Sequence, residues 1–348
     1  MVLQRTSYSR IGIDLGSRQI KAIQFSRHGS RRALTAAAAV ERRVADKLDD
    51  ADVARLMAAL DSQGFRGHEV VIACPPSLVH TDILELPSKA SGAPIRQIAQ
   101  VEMQRSSRFD AAFEMAFWDL PSGPRAGSTS SVMATAIKQS DAQAMLEQLD
   151  RAGLEVAVME TTGTALARAL STEDSNRLVA TVDAGASAAS LMLVHNGTVI
   201  YQRPLNDISL ALLQRSIAAE FEVGEAEQDY LIRDIGLGDA AEANREVMPQ
   251  ERRLQAMLLQ YADTLADEVE TALTYAAHRY PQLQPGGVIL TGGGAAIAGI
   301  DKHIAKRMTV DVRVGRPADS LTFHPARAEQ ALAPVFMPAL GLAMNDSD

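Results

Sequence analysis

Ile11-Gly12-Ile13-Asp14-Leu15-Gly16-Ser17-Arg18-Gln19-Ile20-Lys21 decides the fold, because its plan returns at Leu178-Val179-Ala180-Thr181-Val182-Asp183-Ala184-Gly185-Ala186-Ser187-Ala188-Ala189-Ser190. Each stretch is an apolar run, an Asp-x-Gly turn with a small polar residue, and a second apolar run, which reads as strand–turn–strand. A third stretch, Gly287-Val288-Ile289-Leu290-Thr291-Gly292-Gly293-Gly294-Ala295-Ala296, ends another short strand in three glycines.

The chemistry of such turns is anion binding. Successive backbone N–H groups in a tight turn form a nest for negative charge. Gly16 and Gly185 let the backbone approach a phosphate with no Cβ in the way. Ser17, Arg18 and Gln19 complete the first turn, and Ala186 and Ser187 the second. Asp14 and Asp183, if the two turns face each other, bring two carboxylates to a phosphate tail and need a cation between them, Mg²⁺ held through water. Lys21 lies on the next strand, within reach of a terminal phosphate. Gly292, Gly293 and Gly294 would let the third turn lie against an adenine and ribose, and Ala295 keeps the following chain thin. One Asp-x-Gly turn alone is a tight connection in an α/β sheet; all three in this order form a nucleotide clamp.

Composition narrows the class. With 43 acidic against 34 basic residues the net charge is −9, which argues against a nucleic-acid binder. No segment approaches the roughly 18 uninterrupted apolar residues of a membrane span. The polar start, Met1 to Arg10, has no apolar signal region. One cysteine, Cys74, excludes an internal disulfide and points to a reducing compartment. Cys74 itself reads as a small apolar residue ending a strand.

Along the chain, residues 11–40 read as strands with a turn at Arg27–Ser30. Residues 50–63 read as a helix ending at Gly64, and Val70–Cys74 as a short buried strand. Pro75 to about Lys138 has a different texture, with an extended run to Pro87, a helix from Ile95 to about Arg108, an aromatic segment Phe109–Leu120, a Gly/Ser/Pro-rich connection Pro121–Ser131 and a strand Val132–Ile137. A helix Asp141–Ala152, a strand Leu154–Met159 and a helix from Thr162 to Leu170 follow. Ser171–Asn176 is a polar turn between two halves. The second half carries a hairpin at His195–Thr198, a strand Val199–Arg203, helices over 207–222 and 225–235, a charged exposed stretch 239–253 and a long amphipathic helix from Arg252 to Tyr280, ended by Pro281 and Pro285. After the third turn come a helix over 300–308, a strand over 310–314 and a final apolar helix over 331–344, complicated by Pro334 and Pro338.

The order phosphate turn, insertion, phosphate turn, insertion, adenosine turn resembles the actin-like ATPase superfamily. More narrowly, the chain resembles the FtsA-like PilM family of type IV pilus assembly. Ile13–Ser17 with Lys21, Asp183–Ser187 and Thr291–Ala295 resemble its loops. Leu84-Glu85-Leu86-Pro87, a helix with Val101-Glu102, and Phe117-Trp118-Asp119 resemble its inserted subdomain. Ala152–Glu155 and Ala165–Leu170 resemble its return to the first domain. Two stretches depart from the family pattern: Pro204–Ser209 lacks the glycines expected there, and Ala188-Ala189-Ser190 thins the hydroxyls of the second loop, which puts hydrolysis in doubt.

The resemblance implies an α/β, two-domain actin-like ATPase fold with a central nucleotide cleft. The first domain would comprise 1–74 and 138–175, with an α+β subdomain inserted at 75–137. The second would comprise 176–205 and 283–348, with a helical outer subdomain at 206–282. The implied function is a cytoplasmic nucleotide-binding scaffold of a type IV pilus or related secretion platform, at most a weak ATPase. It would bind a short N-terminal cytoplasmic peptide of a PilN-like inner-membrane protein between the first domain and its insertion. ATP with Mg²⁺ would act as a conformational ligand, self-association is possible, no nucleic acid is bound, and membrane contact would come through partners. The rivals are a pseudo-ATPase that works without nucleotide and an active ATPase or kinase. Glu160, at a strand end, could orient an attacking water or be a helix N-terminal acid. Trp118 with Phe109, Phe113 and Phe117 could line a peptide groove or form the core of the insertion. Arg105 and Arg108 read as exposed helix charges, and no role falls to His278, His303 or His324.

Overall fold

Two sheets with one strand plan organise the chain, seen in a computed structural model that describes residues 6–42, 48–107, 109, 111–121, 129–171, 177–237 and 248–346. In the first half, β1 (Ser7–Tyr8), β2 (Ile11–Leu15), β3 (Gln19–His28) and β4 (Arg31–Glu41) come in succession. β2–β3–β4 is an antiparallel meander that sets Asp14 opposite Lys21. α1 (Asp50–Gln63) starts where the Asp49 carboxylate accepts from the Asp52 N–H, and stops at Gly64 in the left-handed region. β5 (Glu69–Cys74) then runs parallel to β2.

The stretch read as an insertion is a layer of its own. β6 (Val79–Pro87), α2 (Ile95–Ser107), β7 (Phe113–Asp119) and β8 (Thr129–Lys138) form an antiparallel sheet in the order β6-β8-β7 with α2 on one face. Leu84, Leu86, Ala99, Met103, Val132 and Ala134 close its core, with Phe109, Phe113 and Phe117 packed against them. Trp118 leaves that core: its indole N–H donates to the Val199 carbonyl at 2.7 Å. Arg279 adds a hydrogen bond to Ser131 Oγ at 2.9 Å. Three of the aromatics thus pack, half-buried, against the insertion's core, and the fourth docks the insertion on the second half.

α3 (Gln139–Arg151) and β9 (Glu155–Thr161) complete the first sheet, and α4 (Thr162–Ala169) follows. In the second half come β10 (Arg177–Ala184), β11 (Ala189–His195), β12 (Thr198–Leu205), α5 (Leu210–Phe221) and α6 (Glu225–Tyr230), the last continuing as a wide turn to Ile235. α7 (Pro249–Arg279), β13 (Gln284–Thr291), α8 (Ile300–Ala305), β14 (Val312–Val314), α9 (Ala328–Leu332) and α10 (Met337–Ala343) end the chain. The sheets run β4-β3-β2-β5-β9, with β1 alongside β3, and β12-β11-β10-β13-β14. Each is antiparallel on the meander side and parallel on the other.

Several expectations need correction. The final helix is broken: Ala333 is extended, Pro334–Phe336 is one tight turn, and α10 begins only at Met337. A proline disfavours helix in the residue before it. α7 ends at Arg279, before Pro281, while Pro285 lies inside β13. α10 packs on the first sheet, not the second: a Cβ on Gly12 would collide with the backbone at Ala339 and Ala343, and one on Gly341 with the Ala165 carbonyl. Only glycine lets these segments touch. The expectations for 122–128, 172–176, 238–247 and Arg108 lie outside the described residues.

Candidate functional site

The aspartates of the two Asp-x-Gly turns lie near enough to feel each other's charge. Asp14, at the end of β2, is buried and takes Lys21 Nζ at 2.7 Å. Asp183, near the end of β10, has its pKa raised to about 6, first by burial and then by the Asp14 charge, with Lys21 pulling it back. Each of the three therefore feels the others. Register sets Ser190 opposite Asp183, and the buried Ser190 hydroxyl has no hydrogen-bond partner among the described residues.

The glycines of the turns are there for space. Gly16 faces the Gln19 carbonyl and Lys21 Nζ, which a Cβ would approach to 2.7 and 2.9 Å. Gly185 faces the Ala188 carbonyl, at 2.5 Å from such a Cβ. Each glycine is thus required by the tight fold of its own hairpin. The second turn is also tied to α5, whose Leu210 and Ala211 N–H groups donate to the Gly185 and Ala186 carbonyls at 3.1 and 3.0 Å. Ser17 is half-buried and Ser187 exposed. Arg18 reaches across to Asp229 on α6 at 3.4 Å, and Gln19 donates to Glu41 at 2.6 Å.

In the third turn only Gly292 needs left-handed backbone, at φ +79°. A Cβ there would come within 2.5 Å of Asp183 Oδ1, so this turn sits directly against the second aspartate. Gly293 faces the Leu210 side chain and Gly294 the Tyr261 hydroxyl. Beyond it opens a cavity of about 720 Å³, whose wall includes Gln19, Asp229, Arg233, Ala295, Arg316 and Phe336. Small-molecule sites commonly span about 300–1,000 Å³. The cavity thus joins the first turn to Ala295 of the third.

A magnesium ion fits here only as a water-held guest. Among the described residues no three His, Cys, Asp or Glu side chains gather to ligate a metal. Asp14 is already paired with Lys21. Asp183, whose negative form is disfavoured by burial and by Asp14, is the carboxylate that gains from a nearby cation.

Glu160 is engaged elsewhere. Its carboxylate accepts from Arg168 Nη1 and Nη2 at 2.7 and 2.8 Å, from Thr164 Oγ1 at 2.9 Å and from Asn345 Nδ2 at 3.2 Å. Arg168 also donates to the Gly341 carbonyl at 2.7 Å. The acid at the end of β9 thereby helps moor α10.

Two features were missed. Arg42 and Asp52 form a buried ion pair at 3.2 Å, with side chains 2% and 0% exposed, and Arg42 also donates to the Gly16 carbonyl at 2.8 Å. This strut holds the first turn from behind, and nothing in the local sequence marks it. Tyr261 was readable: it falls on the buried stripe of α7 with Leu254, Leu258 and Leu265, where a hydroxyl calls for a partner.

A family model described as "Type IV pilus assembly protein PilM" matches residues 12–347. Among solved structures, a "PilM-PilN type IV pilus biogenesis complex" superimposes with a TM-score of 0.77 at 21% identity, over 97% of this chain and 98% of that one. The ethanolamine utilization protein EutJ from Carboxydothermus hydrogenoformans gives 0.55 at 14% identity, over 97% and 89%. MreB 5 of Spiroplasma citri bound to AMPPNP gives 0.54 at 13%, over 97% and 94%. These likenesses establish a two-domain actin-like fold. Among the described residues no helix is long and apolar enough to cross a membrane.

Proposed function

The chain belongs to the PilM family of type IV pilus assembly proteins, and from that premise we propose that it is a nucleotide-binding scaffold of a pilus inner-membrane platform. It works at the cytoplasmic face of the membrane and holds the N-terminal cytoplasmic peptide of a PilN-like protein. The observation that carries the nucleotide half of this reading is the convergence of Asp14, Lys21 and Asp183 beside the third turn. Lys21 would exchange its bond to Asp14 for one to a terminal phosphate. Gly16, Ser17, Arg18 and Gln19 would flank the phosphates from one side and Gly185, Ala186 and Ser187 from the other. Gly292, Gly293, Gly294 and Ala295 would border the nucleoside in the adjoining cavity. A bound Mg²⁺ would neutralise phosphate charge, reached through water by Asp14 and Asp183.

The partner half rests on the family and on the fold shared with the PilM-PilN complex. It is tested by titrating a synthetic peptide of a PilN-like N-terminus into the full chain: saturable binding supports it, and no binding with or without Mg·ATP removes it.

One observation favours a second reading, a scaffold that does not turn nucleotide over. Glu160, the candidate for orienting water, has its carboxylate committed to Arg168, Thr164 and Asn345. A water-activating base needs a free lone pair aimed at the water.

A further inference from the structure

Tyr261 is nine-tenths buried, yet its hydroxyl has no hydrogen-bond partner among the described residues. Such a group costs stability here, a cost that another state of the protein can relieve. Its position says which state. The phenol stands against Gly294, where any Cβ would strike the hydroxyl. The turn it touches is held by one long bond, Gly292 N–H to the Pro334 carbonyl at 3.4 Å, and by ordinary ones from Ala296 to Gly293 and Ile297 to Gly294 at 3.1 and 3.2 Å. Hydrogen bonds of this kind centre on about 2.9–3.0 Å. Three consecutive glycines give the turn no side chain with which to lock itself. α7, by contrast, is rigid around Tyr261, with Leu258, Ala262 and Leu265 all buried. The cavity begins one residue past Gly294, at Ala295.

We propose that Tyr261 is a positioning residue for the third turn: a nucleoside entering the adjoining cavity moves the Gly292–Gly294 backbone onto the phenol, which then donates to it the hydrogen bond it lacks here. The hydroxyl thereby makes the turn's ligand-bearing position the better satisfied one. The proposal rests on the nucleotide reading above and assigns the base-and-ribose end, not the phosphates, to this device. Burial, and after it the Asp183 charge, hold the phenol in its protonated, donating form.

The test is calorimetry of the full chain and of Tyr261→Phe with Mg·ATP, Mg·ADP and Mg·tripolyphosphate, together with thermal melts without ligand. Phenylalanine keeps the shape and removes only the donor. The expected result is a loss of about five- to ten-fold in affinity for both nucleotides by the same factor, unchanged tripolyphosphate binding, and a melting temperature that holds or rises. Equal nucleotide affinity in the two proteins overturns the proposal. So does a parallel loss for tripolyphosphate, or a fall in melting temperature, which would mean the hydroxyl is already satisfied by a buried water. Wild-type protein that binds neither nucleotide fails earlier, at the nucleotide reading itself.

Discussion

Removing the Asp52 carboxylate should damage this protein far more than removing its neighbours. Asp52 is fully buried and serves two arginines: Arg42 at 3.2 Å and, closer still, Arg55 on the next turn of α1. Arg42 is itself only 2% exposed. Asp52→Asn therefore strands a buried guanidinium, and breaking a buried pair in this way costs about 3–5 kcal/mol. The Arg55 contact adds little, since that side chain is a third exposed. Asp49→Ala supplies the scale: it loses only the cap on the Asp52 N–H, worth about 1 kcal/mol. Urea and thermal unfolding of both variants should thus separate them by at least about 2 kcal/mol. The double variant Arg42→Met/Asp52→Leu should recover much of the loss, because replacing a buried pair with apolar groups is often neutral. It should still loosen the first turn, since the Gly16 carbonyl loses its donor. A cost for Asp52→Asn no larger than that of Asp49→Ala would refute the strut.

Glu160→Gln should lose about 2–4 kcal/mol in unfolding experiments, because the Arg168 guanidinium keeps Gly341 but loses its carboxylate; unchanged stability would free Glu160 for another role. Trp118→Phe leaves the Val199 carbonyl without its indole donor, costing about 1–2 kcal/mol and speeding amide exchange in β7 and β8; exchange identical to wild type would disconnect the insertion from the second half. Asp183 gives a pH signature. Its folded pKa of about 6 stands above the ordinary 3.8, so between those values the folded chain holds a proton that the unfolded chain has released. The Asp183 contribution to stability therefore rises as pH falls from about 7 toward 4. Asp183→Asn should be the more stable protein near pH 7.5, by up to about 3 kcal/mol, with the advantage fading toward about pH 4; a difference that is flat with pH would contradict the raised pKa.

Much of this fold could be read from local pattern. The alternating runs around Asp14 and Asp183 gave the meanders, Gly64 and Gly153 gave helix ends, and the shift in texture after Cys74 gave the inserted layer. The features that escaped depend on contacts between distant residues. Gly12 looks like any strand glycine until α10 arrives from the far end of the chain to lie on it. Arg42 and Asp52 look like surface charges until the first turn and α1 close over them. In the site, the grouping of Asp14, Lys21 and Asp183 was legible, because two like strand–turn–strand units each end their first strand in an aspartate and Lys21 follows on the next strand. The close contacts that require Gly16 and Gly185 were not, because they depend on how tightly each hairpin folds on itself.

The central claim is that the facing turns form a working nucleotide clamp, and calorimetric titration of the full chain with Mg·ATP, repeated on Asp14→Ala, tests it most directly. Saturable binding by the wild type that the substitution abolishes is the predicted result. No binding by the wild type, or equal binding by both proteins, would contradict it.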